Sequence, residues 1–442
     1  MAQLKYDKTG RVLFTKEMKT DYTLLFPMMA PIHFTILKNV LTSYGYKAEL
    51  LTTTGPEIAQ VGLKYVHNDT CYPAILVIGQ LIDALKSGKY DINKTALMIT
   101  QTGGGCRASN YIHLLRKALK RAGFEKVPVV SVNLYGMEHN SGFKITLPML
   151  RKFIAAFVYG DALMLLKNQV KPYEIVKGST DALVEKWVKI LTDMLNRGDG
   201  YTLKQLRMNL NKISDDFADI KVKYTPKIKV GVVGEIYVKY AALGNNNLES
   251  FLENQACEVN MPGILSFGLY SFDTRLTDIK LYGGSNIKYF IVNKSMKYLL
   301  KIENVLIESI KRHKQFVPPA SFEHIKSLAG GVIGHGSKMG EGWLLTAEML
   351  ELIESGYENI VCTQPFGCLP NHICGKGMFR TIKKLHSNSN IVAIDYDAGA
   401  AKVNQENRIK LMLSIAKENL EKKGSAQRHS SENTENNKLI KV

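Results

Sequence analysis

Short, largely apolar runs, each followed by a turn and then by a helical pattern, recur along this chain, and few architectures accept that order. The stretch "TALMIT" (95–100) reads as a strand buried on both faces, "QTGGGCRA" as a glycine-rich turn, "SNYIHLLRKALKRAG" as a helix capped by Ser109, and "VPVVSVN" as a further strand. Parallel neighbours in a sheet need a crossover connection, and a helix is the compact way to supply one. Strand, turn, helix, strand therefore predicts a doubly wound parallel sheet with helices on its faces.

The pattern extends in both directions. Before it, "YTLLFP" (22–27) and "KAELL" are strand candidates, with "IHFTILKNVLTSYG" at helical spacing between them. In "CYPAILVIGQLIDALKSG", Pro73 suits the first helical turn, Ile75, Ile78, Ile82 and Leu85 share one face, and Gly88 marks the stop. A second unit opens with the strand-like "KIKVGVVGEIYV" (227–238) and continues through helical "NNLESFLENQ", strand-like "ACEVNMPG", helical "AEMLELIESG" and the strand "NIVCTQ" (359–364). Helix, strand and helix follow in "GMFRTIKKLHS", "NIVAIDYD" and "RIKLMLSIAKENLEKK". Between the units, residues 147–217 carry apolar positions at three and four spacing and read as a helical layer or a dimer surface. The expected organisation is an N-terminal α/β domain (1–145), a helical segment (146–225), a C-terminal α/β domain (226–422) and a disordered tail (423–442), the tail because it is polar and poor in aromatics. Two α/β halves of similar plan would amount to a degenerate internal duplication.

A chain of 442 residues exceeds the size of one hydrophobic core, so more than one domain is expected. The first residues lack the apolar region of a secretory signal, and no stretch approaches the ~20 apolar residues of a membrane span, so a cytoplasmic protein with no membrane partner is expected. Lys and Arg number 58 against 40 Asp and Glu, a formal charge of +18. The lysines are scattered, which fits a solvated basic surface or recognition of an anionic ligand; without a basic block or a nucleic-acid motif, no nucleic-acid partner is expected.

In a reducing compartment, six cysteines speak for ligands, catalysis or burial before disulfides. Cys71 precedes the Pro73 helix, Cys106 ends the glycine-rich turn after a strand, and Cys368 lies in a Gly/Pro-rich turn after "NIVC". Ligands in open α/β sheets bind outside the carboxyl ends of the strands, where such loops gather. Helix N-termini present free N–H groups that favour thiolate. Three thiolates so placed could hold three irons of a [4Fe-4S] cluster and leave the fourth open. Gly104, Gly105 and Gly367 would allow close backbone approach, and His372 would serve as a donor to a cluster sulfide or as an ordinary loop histidine. Cys362 reads as a core residue or a further ligand, Cys374 as ligand or packing residue, and Cys257 as buried and inert. The spacing C-x5-C-x5-C over residues 362–374 lacks the close pairs of structural zinc and the C-x-x-C of a redox pair.

"TGGGCRASN" shares only glycine content with phosphate-binding loops. "GHGSKMGEGW" (334–343) is a glycine-rich loop carrying His335, Lys338 and Glu341, read as a lid, a substrate loop or a plain connector. Glu235, Asn246 and Asp397 follow strands and could line the same cleft.

Together, "HNDTCYP", "TQTGGGCRASNY", "GEIYVKYAALGNNN", "GEGWLLTAEM", "PFGCLPNHICGKG" and "IVAIDYDAG" resemble the 2-hydroxyacyl-CoA dehydratase superfamily, and within it the C-terminal module of the large acyl-CoA dehydratase activase-related proteins. The resemblance spans about residues 20–420. It implies two doubly wound (flavodoxin/Rossmann-like) domains with a helical segment between or beside them and the cluster in the interdomain cleft. It further implies a low-potential one-electron reductase or dehydratase component, reduced by a separate ATP-hydrolysing activator of the sugar-kinase/heat-shock fold. Dehydratases of the superfamily form a ketyl radical of an acyl-CoA and expel its 2-hydroxyl group, and relatives carry a double-cubane [8Fe-9S] cluster. Carried over by position, the resemblance assigns Cys71, Cys106 and Cys368 as cluster thiolates, with Cys362 and Cys374 as additional candidates. Glu341, His335 and Lys338 are the proton-handling candidates on loop chemistry. A non-catalytic electron-transfer protein and a double-cubane reductase of small molecules are the alternatives.

Overall fold

The structure, a computed structural model, describes residues 3–133 and 137–439, with side chains as far as residue 422. Strands β1 (Lys5–Tyr6) and β2 (Val12–Leu13) pair antiparallel, and the short helix α1 (Met18–Asp21) leads into the first sheet. That sheet holds β3 (Thr23–Pro27), β4 (Lys47–Leu51), β5 (Thr95–Thr100) and β6 (Val129–Val132), all parallel, in the order β4-β3-β5-β6. Helix α2 (Pro31–Ser43) connects β3 to β4, α3 (Pro56–Tyr65) and α4 (Tyr72–Lys86) connect β4 to β5, and α5 (Tyr111–Ala122) connects β5 to β6. Leu24 pairs with both Ala48 and Ala96, and Leu24, Leu25, Ala96 and Leu97 are fully buried. Helices cover both faces of such a sheet, which is why its strands read as continuous apolar runs.

Three helices follow, α6 (Leu147–Val170), α7 (Ser179–Asn196) and α8 (Leu203–Ala218). The second sheet holds β7 (Lys229–Gly234), β8 (Glu258–Asn260), β9 (Asn359–Pro365) and β10 (Asn390–Tyr396), again parallel, in the order β10-β9-β7-β8. Short helices α9 (Ile236–Tyr240), α10 (Ala242–Asn245) and α11 (Leu248–Asn254) lie between β7 and β8; α12 (Ile264–Tyr282), α13 (Asn286–Lys311), α14 (Phe322–Gly330) and α15 (Trp343–Glu354) lie between β8 and β9. Helix α16 (Phe379–Leu385) follows β9, and α17 (Lys402–Leu439) follows β10. In each sheet the first strand stands beside the third, with the second and fourth at the edges, so the chain is α/β and uses one strand order twice. Both sheets thus have a switch point, β3/β5 in one and β7/β9 in the other, where loops diverge and leave a crevice. Among the described residues no helix is long and apolar enough to cross a membrane.

Two local expectations change. The strand expected through Val238 stops at Gly234, whose φ of +140° and near contact with Thr363 turn the chain into α9 under a Glu235 cap. Ser109 does not cap α5: Cys106 caps a preceding 3-10 turn (Arg107–Asn110), Asn110 precedes α5, and the Ser109 hydroxyl instead donates to the Gly104 carbonyl at 2.7 Å. The backbone of α17 runs to Leu439, along most of the expected tail; residues 440–442 lie outside the described residues. The hairpin of α12 and α13, over residues the periodicity left unassigned, joins the helical layer, with α13 packed on α8 and α6.

Two features hold the site's supports in place. Asp161 on α6 receives the His33 ring at 2.8 Å and the backbone N–H groups of Ile264 and Leu265 at 2.8 and 2.9 Å, so one buried carboxylate ties α2, α6 and the start of α12. Helices α3 and α4 cross at two glycines: a Cβ on Gly62 would lie 2.2 Å from the Ile75 carbonyl oxygen, and one on Gly79 would lie 2.3 Å from that of Ile58. Backbone cannot yield as a side chain does. Gly62→Ala and Gly79→Ala are each expected to destabilise the protein by about 1–3 kcal/mol, the range of overpacking in a well-filled core, read as a lower urea midpoint. An unchanged midpoint would show that the helices are free to separate.

Candidate functional site

The carboxyl-end loops of the two sheets meet. The Tyr72 N–H donates to the Phe366 carbonyl at 3.0 Å, and a Cβ on Gly367, whose φ is +71°, would lie 3.1 Å from the Cys71 Cα. The loop before α15 reaches the other side: a Cβ on Gly340 would stand 3.0 Å from Pro370 and 3.9 Å from the Cys106 Cβ, and one on Gly105 would strike the Met339 sulfur at 2.3 Å. These contacts gather Cys71, Cys106 and Cys368 in one region. Gly104 has open space around its Cα and needs no glycine for packing.

Each thiol begins a helical turn and meets a donor. Cys71 is the N-cap of α4, and its Sγ lies 2.9 Å from the Tyr111 hydroxyl. Cys106 caps its 3-10 turn by accepting the Ala108 N–H at 3.5 Å. Cys368 accepts the Asn371 side-chain N–H at 3.1 Å, and its carbonyl accepts the His372 N–H at 3.2 Å. Burial pushes all three thiols up, Cys106 to about 11, and the charge of Glu235 adds to the rise in each. Glu341 adds to it in Cys106 and Cys368.

Glu235 and Glu341 are a buried carboxyl pair at the start of α9. Glu235 caps the helix by accepting the Val238 N–H at 2.8 Å, and Glu341 accepts the Ile236 N–H at 2.9 Å from across the fold. Burial, then the neighbouring Glu341, raises Glu235 to about 8; burial also raises Glu341. Lys239, paired with Glu348 at 3.3 Å inside the protein, partly opposes both shifts.

The other expected residues are placed as follows. His335 contacts the Lys326 carbonyl through Nε2 at 2.8 Å and packs edge-on to Trp343; Lys338 pairs with Asp278 on α12. These contacts tie down the 334–343 loop, and of its three candidates Glu341 is the one whose charge reaches the thiols. His372 is exposed and takes an N–H from Gln364 on its Nδ1, turned to that partner and not to a thiol. Cys362 is fully buried in β9 beside Val233 and Ala393, with its Sγ against Gly375. Cys374 is buried in a π-turn (Asn371–Gly375) whose Cys374 carbonyl takes the Thr346 hydroxyl at 2.6 Å; Glu341 adds to the rise that burial causes in its thiol. Cys257 is a core residue at the other end of β8. Asn246 bonds Gln405 at 2.7 Å, and Asp397 is exposed near Tyr72. Among the described residues no three His, Cys, Asp or Glu side chains are drawn together as the ligands of a single ion; thiolates on different irons of one cubane stand farther apart than that.

Sequence reasoning missed Tyr111 and Asn371. Both sit at helical starts close to a cysteine in the sequence or the fold, "CRASNY" and "CLPN", a signal visible only once the thiol is known to face them. No protein-family model matches the chain, and no curated protein matches it.

The carboxyl pair has a measurable signature in the metal-free protein. Folded Glu235 keeps its proton up to about 8 while the unfolded chain releases it near the ordinary glutamate value of 4.5, so stability falls as pH rises through that window. Glu235→Gln keeps an acceptor for Val238 and removes the titration. The variant should lose less stability than the parent between the two ends of the window in urea titrations; parallel curves would mean that Glu235 ionises in the folded state at an ordinary pH.

Proposed function

We propose that this chain is an iron–sulfur protein of the 2-hydroxyacyl-CoA dehydratase type, a low-potential one-electron component acting on an acyl-CoA-type substrate and reduced by a separate ATP-hydrolysing activator of the sugar-kinase/heat-shock fold. The observation that carries the reading is the gathering of Cys71, Cys106 and Cys368, from three separate loops, beside one buried carboxyl where the carboxyl ends of two like-ordered sheets touch.

The residues fit a [4Fe-4S] cluster. Buried thiols without a strong cationic neighbour remain protonated, and bound iron is the charge that would make them thiolates. Arg107 alone offers Cys71 a small compensation. Glycines at 340 and 367 bring backbone against the thiol-bearing segments where a Cβ would intrude. Cys71, Cys106 and Cys368 would hold the group, which when bound supplies one low-potential electron at an iron left without a protein thiolate. A single cubane is favoured over a double one because Cys257 and Cys362 are 1% and 0% exposed among apolar neighbours.

The chain's own groups tune that site. The Tyr111 hydroxyl and the Asn371 amide hold Cys71 and Cys368 in orientation and place hydrogen-bond donors on their sulfurs. Glu235, raised to about 8, keeps a proton in the dry region beside the thiols, with the raised Glu341 next to it, where a carboxyl can return that proton to a reacting oxygen. The net charge of +18 suits an anionic CoA ester and an acidic partner.

Anaerobic purification or reconstitution with iron and sulfide should give a brown protein with roughly four irons per chain. Cys71→Ser, Cys106→Ser and Cys368→Ser should each lose most of that iron, whereas Cys257→Ser should keep it. A colourless, iron-free product would end the proposal. An acyl-CoA should raise the thermal midpoint of the loaded protein; no shift would move the reading to a pure electron carrier.

A further inference from the structure

A proton that Glu235 gives to a reacting oxygen has to be replaced from solvent before the next turnover. A substrate held beside the thiols closes the near way in, so the replacement must come through the protein. Tyr237, on the first turn of α9, is the residue next in line. Its backbone N–H joins that of Val238 in bonding the Glu235 carboxyl. Its side chain is only 7% exposed, and the hydroxyl has no hydrogen-bond partner among the described residues. A buried hydroxyl costs free energy unless water or a neighbour bonds it.

Tyr72 continues the line outward. It is also 7% exposed, belongs to the same core as Tyr237, and no described residue bonds its hydroxyl. Phe366 fixes its place. The Phe366 carbonyl accepts the Tyr72 N–H at 3.0 Å, and the Phe366 N–H donates to the Tyr396 carbonyl at 2.8 Å, one residue before the exposed Asp397. Burial raises both phenols; the charges of Glu235 and Tyr72 add to the rise in Tyr237, and that of Asp397 adds to the rise in Tyr72. Asp397, Tyr72, Tyr237 and Glu235 thus stand in order, each within electrostatic reach of the next, from the surface to the carboxyl pair. The other ways out are committed. Lys239 is held by both Glu348 oxygens at 3.3 and 3.5 Å. The Tyr270 hydroxyl, near Glu341, is also unpartnered among the described residues, but the acid near it on α12, Asp273, is bonded by Lys326 at 2.6 Å.

We infer that Tyr237 and Tyr72 are positioning residues that relay protons from solvent at Asp397 to Glu235. A hydroxyl donates one hydrogen bond while accepting another, so it passes a proton on without holding a charge. Ordered water bonds buried hydroxyls of this kind and completes such lines. In one pass Glu235, left as carboxylate, takes the proton of the Tyr237 hydroxyl, Tyr237 takes that of Tyr72, and Tyr72 takes one from solvent at Asp397. Each hydroxyl breaks one O–H bond as it forms another. Both tyrosines end neutral, and one proton has entered. The use of that proton rests on the proposed chemistry; the relay itself does not.

Infrared difference spectra of the full chain, free of metal, should show the carbonyl band of protonated Glu235, identified by its loss in Glu235→Gln. On rapid transfer into D2O that band shifts as the proton exchanges. Tyr237→Phe and Tyr72→Phe should each slow the shift by about a hundredfold, the lower end of what a positioned proton-transfer group contributes. Removing an unpartnered hydroxyl deletes no hydrogen bond, so neither variant should lower the urea midpoint, which separates a relay from a structural role. Tyr270→Phe should leave the rate unchanged. Equal rates in the parent and both relay variants, slowing in Tyr270→Phe alone, or absence of the band from the parent would overturn the inference. An iron-free protein whose exchange is slowed in both relay variants would keep the relay and end the proposed chemistry.

Discussion

Tyr72 gives its backbone N–H to the carbonyl of Phe366, and Gly367 lies directly on the backbone of Cys71. That contact is between main chains, one from the helix pair of the first sheet and one from the loop after β9 of the second. It requires a residue without a Cβ at 367 in a left-handed turn, and it sets how closely the two loops approach. It brings the loop that carries Cys368 against the backbone of Cys71. The crossing of α3 and α4 at Gly62 and Gly79 matters for the same reason, since it fixes where α4 begins and hence where Cys71 stands.

The electrostatics of the region follow from burial. Burial raises the three thiols and both carboxyls, the charge of Glu235 adds to the rise in each thiol, and Lys239 is paired with Glu348. Each of these shifts favours the neutral form. A cationic group beside the thiols would oppose their rise. The helix start at α9 partly offsets the cost of burying the carboxyls, since its N–H groups are answered by Glu235 and Glu341 together.

Much of the fold was legible because the strands are buried on both faces. "TALMIT" became β5 with its boundaries intact, and "NIVCTQ" extends by one residue into β9. The α12–α13 hairpin was not legible: its apolar residues run toward an end that the chain itself leaves exposed, so no single covered face imposed a period. Ser109 looked like a cap by residue type, but Cys106 began the turn three residues earlier and took that role for its own sulfur. His335 and Lys338 looked reactive by type, and only their partners, the Lys326 carbonyl and Asp278, reveal them as anchors of the loop.

By itself the sequence determined the α/β class, the parallel strands and the fact that three cysteines end loops at carboxyl ends of strands or start helices, because periodicity and turn residues act over a few neighbours. Which cysteine-bearing loops meet, that Glu235 and Glu341 both accept N–H groups at the start of one helix, and that Tyr111 reaches Cys71 were decided only by the tertiary structure. These depend on contacts between residues 40 to more than 290 positions apart, and no local pattern encodes the approach of two loops whose spacing is set by the packing beneath them.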